Sequence, residues 1–252
     1  MFTAGATEAE AACVAELKKQ CPPSMLNAED VGFLNDTAYL RFVRARKADV
    51  AKAAEMLKKT ITWRNETKPY AITEDEVKEA AKHLRISCGG HCKQGCPIVV
   101  LSVIEPEGLT MEARKKFLTF MLEETERKGY DRISWILTWA HMAKEKEKRE
   151  DKEPDAKKHR REAMQIMQDY YPERMNHVLL FQPPFLIRVM LPFMRMTITS
   201  VTSGKISNIG SNVKDFDKYI TRDQLPEVCG GLKPDVVVEH FGALPQASEV
   251  VK

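Results

Sequence analysis

Three cysteines and a histidine lie within nine residues of this sequence and could in principle bind a metal ion. They are Cys88, His91, Cys92 and Cys96. Three thiolates and one imidazole form a recognised tetrahedral zinc ligand set. Structural zinc sites, however, usually take two ligand pairs from separated loops, whereas these four crowd together directly before an apolar run. We therefore expect no metal here and interpret all six cysteines of the chain as thiols.

A second candidate is the Ser-Gly-Lys sequence at residues 203–205, which resembles part of a phosphate-binding loop. A nucleoside-triphosphate loop needs a glycine five residues before its second glycine and a Ser or Thr after the lysine. Thr199 and Ile206 occupy those two positions, so that kind of site is excluded. Thr202 and Lys205, one turn apart, could still hold another phosphate group.

Motifs for covalent or dinucleotide chemistry are missing from the sequence. It contains no G-x-S-x-G, H-E-x-x-H or G-x-G-x-x-G, and its six histidines show no metal-binding spacing. The net charge of +3, from 39 basic and 36 acidic residues, is too balanced for a chain whose main partner is nucleic acid. We expect no cofactor and no nucleic-acid partner.

The tract from Phe185 to Met196 is apolar almost all round. Nine of its twelve side chains are apolar, three of them Met, and only Arg188 and Arg195 carry charge. A helix of this kind either packs on both sides in a core or covers an apolar cavity and can lie on a membrane. Flexible Met side chains adapt to changing surroundings, and the two arginines could meet anionic lipid headgroups.

The helices and strands that carry these residues can be predicted from the spacing of apolar residues along the sequence. Helical patterns and their end signals predict helices at 7–20, several short helices between 36 and 64, and further helices at 74–84, 110–128, 153–170, 185–196 and 213–219. Short apolar runs predict strands at 97–104, 133–139, 176–181 and 205–209, with 88–95 as a loop. Strands that alternate with helices favour an α/β fold with a mainly parallel sheet.

The sequence shows no membrane-spanning segment and no secretory signal. No run of 18 apolar residues exists, and three glutamates interrupt the first 20 residues, where a secretory signal needs an apolar segment. We therefore expect a cytoplasmic protein.

One tract is dense in charge. The tract from Lys144 to Arg161 has nine basic and six acidic residues, and we interpret it as a solvated loop with the polar face of a helix.

From Asp36 to Gly231 the chain resembles the CRAL-TRIO lipid-binding proteins, and within them the phosphatidylinositol transfer proteins. The most specific pieces are LRFVRARKADVAKAAEMLKKTITWR at 40–64 and DYYPERMNHVLLFQPPF at 169–185. Gly95-Cys96-Pro97, residues 201–206 and LPEVCGG at 225–231 follow in the family's order. The resemblance implies an N-terminal helical region over 1–85 and a lipid-binding domain over 86–252. That domain would have a sheet, an apolar pocket and a gate helix.

The resemblance also assigns site residues. It places the gate and membrane contact on the apolar tract, at Phe185, Leu186, Val189, Met190, Phe193 and Met194. It places the phospholipid headgroup against Arg46, Glu173, Thr202 and Lys205. A phosphodiester enclosed at low dielectric is costly unless it is paired, and Arg46, Lys205 and the Thr202 hydroxyl would supply donors. Glu173 could accept hydrogen bonds from inositol hydroxyls.

We therefore expect a non-enzymatic carrier of phosphatidylinositol that associates peripherally with internal membranes. One alternative keeps the fold but binds a neutral isoprenoid or sterol-like ligand. Another is an α/β enzyme acting on a small molecule, for which Cys88–Cys96 would be the best candidate region.

Overall fold

The computed structural model describes residues 5–84, 86–102, 110–139, 165–196 and 200–234, together with 162 and 247. The chain divides into two compact units, each built from more than one segment. The first unit comprises 1–73, 118–123 and 154–174, and the second comprises 74–117, 124–153 and 175–252. The sequence-based domain boundary between residues 85 and 86 stays a prediction.

The first unit is helical. It contains α1 (Glu8–Gln20), α2 (Asp36–Ala45) and α3 (Val50–Thr67), with short 3-10 turns at Pro23–Met25, Ala28–Phe33 and Pro69–Ala71. Its core is formed by apolar side chains from all three α-helices and the first two turns, including Leu17, Leu26, Phe33, Tyr39, Phe42, Val43, Leu57 and Ile61. The 3.6-residue spacing of these apolar positions is what places them on one face of each helix.

A polar side chain caps the N-terminus of each of these three α-helices. Thr7 and Glu10 form a reciprocal capping box at α1, in which each side chain accepts the other's backbone N–H. Asp49 caps α3 by accepting the Lys52 N–H. The cap of α2 is Asn35, which accepts the Ala38 N–H at 2.9 Å. Asn is as good an acceptor here as Asp.

The second unit is built on a five-stranded sheet in the order β1-β2-β3-β4-β5. The strands are β1 (Ile86–His91), β2 (Pro97–Ser102), β3 (Ile133–Thr138), β4 (Met175–Phe181) and β5 (Ile206–Gly210). β1 runs antiparallel to β2, and the other three pairs are parallel. The predicted α/β class with a mainly parallel sheet is confirmed.

The remaining helices are α4 (Glu74–Leu84), α5 (Met111–Arg127), α6 (Phe185–Met196) and α7 (Ser200–Lys205). α4 and α6 have the bounds that the sequence predicts, and Thr110 caps α5. Residues 118–123 in the middle of α5 belong to the first unit. An apolar cluster on the sheet of the second unit includes Ile98, Val100, Ile136, Leu179, Phe181, Ile209, Phe216 and Ile220.

The sequence interpretation was wrong in three places. Residues 88–91, expected in a loop, belong to strand β1. Residues 200–205 form α7, which the sequence patterns did not predict, so Lys205 ends a helix and β5 begins at Ile206. The predicted helix at 213–219 is a 3-10 helix, Val213–Lys218.

Several predictions lie partly or wholly outside the described residues. They are the end of the predicted strand at 103–104, the charged tract 144–161 and most of the predicted helix 153–170, of which 165–170 is helical. Among the residues that the structure describes, no helix is both long and apolar enough to cross a bilayer.

Candidate functional site

The apolar face of α6 is exposed. Phe185 is 80% exposed and Phe193 66%, and the other exposed apolar side chains of this helix are Leu186, Val189, Met190 and Met196. Leu191 is buried and anchors the opposite face of the helix. Of the six predicted gate residues, all but Met194 are shown to be exposed, and the Met194 side chain lies outside the described residues. A helix packed on both sides is thereby excluded.

The chain just before α6 sets where this helix begins. Gln182 has a left-handed φ of 53°, and its N–H donates to the Gly210 carbonyl of β5 at 2.6 Å. Pro183 and Pro184 follow, and proline favours the non-helical backbone that precedes a helix. Arg188 turns back and donates its Nε–H to the Pro183 carbonyl at 2.9 Å. The guanidinium is thus tied to the base of the helix rather than to its apolar face.

Two of the four predicted headgroup residues lie in the second unit. Thr202 and Lys205 are three residues apart in α7, so they share one face of that helix. Lys205 is half-buried and directly precedes β5, which pairs with β4. Its charge helps to lower the pKa of His177 on β4, although burial of the imidazole is the larger cause. The Thr202 side chain lies outside the described residues.

The other two predicted headgroup residues lie in the first unit. Arg46 is the half-buried residue that ends α2, and Lys47 and Ala48 after it both have left-handed φ, at 52° and 62°. Glu173 is half-buried and also left-handed, with φ at 59°. Its carboxylate adds to the raised pKa of Arg44, for which the hydrogen bond to Glu10 is the main cause.

Arg174, the residue after Glu173, does not lie on the surface. Its side chain is only 1% exposed, and its Nη2 donates to the Leu122 carbonyl at 3.1 Å. Left-handed φ at a non-glycine residue costs free energy and persists only where the surroundings hold it. Buried neighbours on both sides, Pro172 and Arg174, hold Glu173 in this way.

Sequence patterns gave no sign of a buried ion-pair network in the first unit. The Arg64 guanidinium donates to Asp30 at 2.6 and 2.8 Å and to Glu123 at 2.7 and 2.9 Å. Tyr171 donates its hydroxyl to Glu123 at 2.6 Å, and the ring of Phe33 lies 3.8 Å below the guanidinium. No spacing rule could link these residues, because they come from four separate segments of the chain.

The Cys–His tract does not assemble as a metal site. Among the residues that the structure describes, no group of three or more His, Cys, Asp or Glu side chains could hold a metal ion. The His91 ring instead makes a hydrogen bond of 2.9 Å with the Tyr130 hydroxyl. All six cysteines are free thiols.

The sheet order, the helix that follows β4 and the tracts around them match one known family. The sequence model of the CRAL/TRIO domain matches residues 87–231. This chain belongs to the CRAL/TRIO domain family. The match includes β2, β3, β4, β5, α6 and both residues of the predicted phosphate pair on α7.

Individual relatives of this CRAL/TRIO chain extend the likeness into the N-terminal helices. The chain is similar to the SEC14 cytosolic factor of Candida glabrata, at 28% identity over 225 residues, covering 81% of this chain and 74% of the relative. It is also similar to Patellin-3 of Arabidopsis thaliana, at 25% identity over 214 residues, covering 80% of this chain and 44% of Patellin-3.

A solved structure shares the fold of this CRAL/TRIO chain. The crystal structure of Sfh5 superposes with a TM-score of 0.58 at 13% identity, covering 98% of this chain and 93% of Sfh5. At that identity the likeness concerns the fold alone. The lipid-binding and lipid-transfer role of the chain is supported by the family match and the SEC14-like relatives.

Proposed function

We propose that this CRAL/TRIO protein carries one phospholipid at a time between membranes, and that the phospholipid is phosphatidylinositol. The observation that carries the proposal is the exposed apolar face of α6. Monomeric soluble proteins rarely leave a contiguous apolar surface in water unless it binds a partner or a membrane. On this proposal α6 is the gate helix, and its exposed side chains enter the lipid interface when it opens.

The energetics support a carrier of this kind. Burial of apolar surface is worth about 25 cal/mol per Å², so several hundred Å² of acyl chain contribute on the order of 10 kcal/mol in an apolar pocket. A lipid with two acyl chains therefore leaves a membrane only if the carrier buries an apolar area comparable with the one that the bilayer buries. Polar contacts add little to that sum, and their role is to select one headgroup over another.

Headgroup choice is assigned to Thr202 and Lys205 on α7 and, in the first unit, to Arg46 and Glu173. Lys205 supplies a cation and Thr202 a hydroxyl on the same helix face, as one phosphate group requires. A neutral isoprenoid or sterol offers nothing for a lysine to pair with. The family resemblance and the presence of all four residue types support the inositol lipid.

The proposed setting is the cytoplasm, with transient association to internal membranes. The C. glabrata relative is called a cytosolic factor, and an exposed amphipathic helix is a reversible membrane anchor. No catalytic step is required for lipid exchange.

Mass spectrometry of the lipids that co-purify with the full chain tests the proposal. We expect about one equivalent of phosphatidylinositol per protein after expression in a eukaryotic host. An uncharged isoprenoid or sterol at that stoichiometry would overturn the headgroup assignment, and a well-folded protein that holds no lipid and accepts none from liposomes would overturn the carrier itself.

A further inference from the structure

The hairpin that joins β1 to β2 places two cysteines opposite each other. The Cys92 N–H donates to the Cys96 carbonyl at 2.9 Å, and the Gly95 N–H donates to the Cys92 carbonyl at 2.8 Å. Gly95 has φ of 74°, the left-handed conformation that a three-residue hairpin loop needs at this position. Hydrogen-bonded partners across antiparallel strands have Cα atoms about 5.5 Å apart. Disulfides need Cα atoms roughly 4.4–6.8 Å apart.

Polar side chains from the starts of strands β3 and β4, together with Cys96, surround the Cys92 sulfur. The Asn176 side-chain Nδ2 donates to it at 3.4 Å and also to the Ser134 hydroxyl oxygen at 3.1 Å and the Gln94 side-chain Oε1 at 2.8 Å. Ser134 and Cys96 donate to the same sulfur from their side chains. Ser134 belongs to β3 and Asn176 to β4, so rigid sheet residues hold this arrangement.

These donors favour a thiolate. The hydrogen bond from the Cys96 S–H is the main reason that the pKa of Cys92 falls to about 5, with Ser134 and backbone N–H groups adding to it against the cost of burial. The same hydrogen bond raises the pKa of Cys96, so the pair shares one proton near neutral pH. Arg132 favours and Asp131 opposes a charge at Cys96, and His177 lies within electrostatic reach of Cys92.

We propose that Cys92 and Cys96 are a reversible redox pair, oxidised by a hydroperoxide to an intramolecular disulfide and reduced again by a dithiol. The Cys92 thiolate attacks the hydroperoxide, the O–O bond breaks, and Cys92 becomes a sulfenic acid while the departing alkoxide or hydroxide takes a proton from water. The Cys96 sulfur then attacks the Cys92 sulfur. The S–S bond forms, the S–O bond breaks, and water leaves with the thiol proton.

The solvent exposure of Cys96 and a comparison with Cys88 support the assignment of Cys92 and Cys96 as a redox pair. Cys92 is only 4% exposed, but Cys96 beside it is half-buried, so a small hydroperoxide reaches the pair from the Cys96 side. Cys88, on β1 ahead of the hairpin loop, is buried like Cys92, but there burial is the cause that dominates, and it raises the pKa of Cys88 to about 12. A thiol of that kind stays protonated and inert.

The test is oxidation of the purified full chain with hydrogen peroxide, followed by alkylation of the remaining thiols and proteolysis. We expect a species lacking two hydrogen atoms, with Cys92 linked to Cys96, and its return to two thiols with dithiothreitol. The Cys13→Ser variant is the matched control and should behave as wild type. A different cysteine pairing, or sulfinic acid at Cys92 without a disulfide, would overturn the proposal.

A second measurement tests whether Cys96 activates the Cys92 thiol or only lies close to it. At pH 6 the Cys96→Ala variant should form sulfenic acid at Cys92 at least tenfold more slowly than wild type, because alanine cannot donate a hydrogen bond to the Cys92 sulfur and the thiolate fraction falls. If that variant fails to fold, Ser134→Ala should slow oxidation at pH 6 severalfold and leave the rate at pH 9 unchanged. Equal rates at pH 6 would contradict the assignment. Lipid transfer by the reduced protein should not change in any of these variants.

Discussion

Arg64 and Glu123 face each other through two parallel hydrogen bonds, from Nη1 to Oε1 at 2.7 Å and from Nη2 to Oε2 at 2.9 Å, and both side chains are buried. Asp30 pairs with the other edge of the same guanidinium. One arginine thus pairs with two buried carboxylates in the first unit. A buried charge is costly as soon as its partner is removed.

Arg64→Met should destabilise the protein by about 3–5 kcal/mol, because it removes a buried cation that pairs with two buried carboxylates. Urea unfolding followed by circular dichroism measures the change. Lys59→Met is the matched control, since it breaks an ion pair with Glu55 in which both side chains are more than two-thirds exposed. The control should leave the unfolding midpoint where it is, and equal shifts for the two variants would contradict a special role for the buried network.

The ion pair between Glu10 and Arg44 predicts an acid-dependent contribution to stability. The Arg44 hydrogen bond is the main cause that lowers the pKa of Glu10 from 4.5 to about 2 in the folded protein. The folded state therefore holds this carboxylate ionised more readily than the unfolded chain does. The resulting stabilisation is complete above pH 4.5 and is lost as pH falls towards 2.

Comparison of wild type with Glu10→Gln over this pH range measures that contribution. The wild type should be the more stable of the two at pH 6, and the difference should shrink steadily below pH 4.5. Glu8→Gln removes a charge from the same helical turn without breaking the ion pair and should show a smaller, flatter difference. If the difference in stability between wild type and Glu10→Gln is as large at pH 2 as at pH 6, the Glu10–Arg44 ion pair is not its cause.

The two adjacent glycines of β1 should respond very differently to alanine. Gly90 has φ of 71°, and a Cβ there would lie 1.9 Å from the Gln224 carbonyl oxygen. A Cβ at Gly89 would lie no closer than 3.7 Å to any atom outside its neighbours. Gly90→Ala should cost about 2 kcal/mol or more, from backbone strain and the forced shift of Gln224, whereas Gly89→Ala should be tolerated. Similar thermal midpoints for the two variants would show that the strand adapts.

The headgroup assignment makes a prediction about α7. Thr202→Ala combined with Lys205→Ala should abolish phosphatidylinositol transfer between liposomes while changing the free energy of unfolding by no more than roughly 1 kcal/mol. Lys214→Ala, which removes an exposed lysine from the same unit, is the control and should transfer lipid normally. Wild-type transfer by the double variant would rule out this pair as the phosphate-binding group.

The membrane role of α6 is tested by a charge on its apolar face. Met190→Glu should weaken sedimentation with liposomes severalfold without unfolding the protein, because a carboxylate resists transfer into the lipid interface. Leu232→Glu places the same charge on another exposed apolar residue of the second unit, 64% exposed, and should leave sedimentation unchanged. If both variants bind liposomes as wild type does, α6 is not the membrane contact.

Local sequence patterns predicted much of the fold. The bounds of α4 and α6, the extent of α5 to within one residue at each end and the cores of β2, β3 and β4 all follow from periodicity and end signals within a few residues of each position. β1 was not predicted because its glycine pair is typical of a loop. Its pairing with β2 and the close approach of Gln224 to Gly90 are contacts with distant parts of the chain.

By itself, the sequence determined the α/β class, the apolar character of α6 and the candidate phosphate pair at Thr202 and Lys205. Only the tertiary structure decided that the apolar face of α6 stays exposed, that Arg64 meets Glu123 across 59 positions of sequence, and that Asn176 meets Cys92 across 84. Helix and strand patterns depend on neighbours within one turn or one pleat, and these patterns are visible in a linear sequence. Burial and polar pairing depend on which distant segments of the chain come together, and the spacing of residues in the sequence does not predict those contacts.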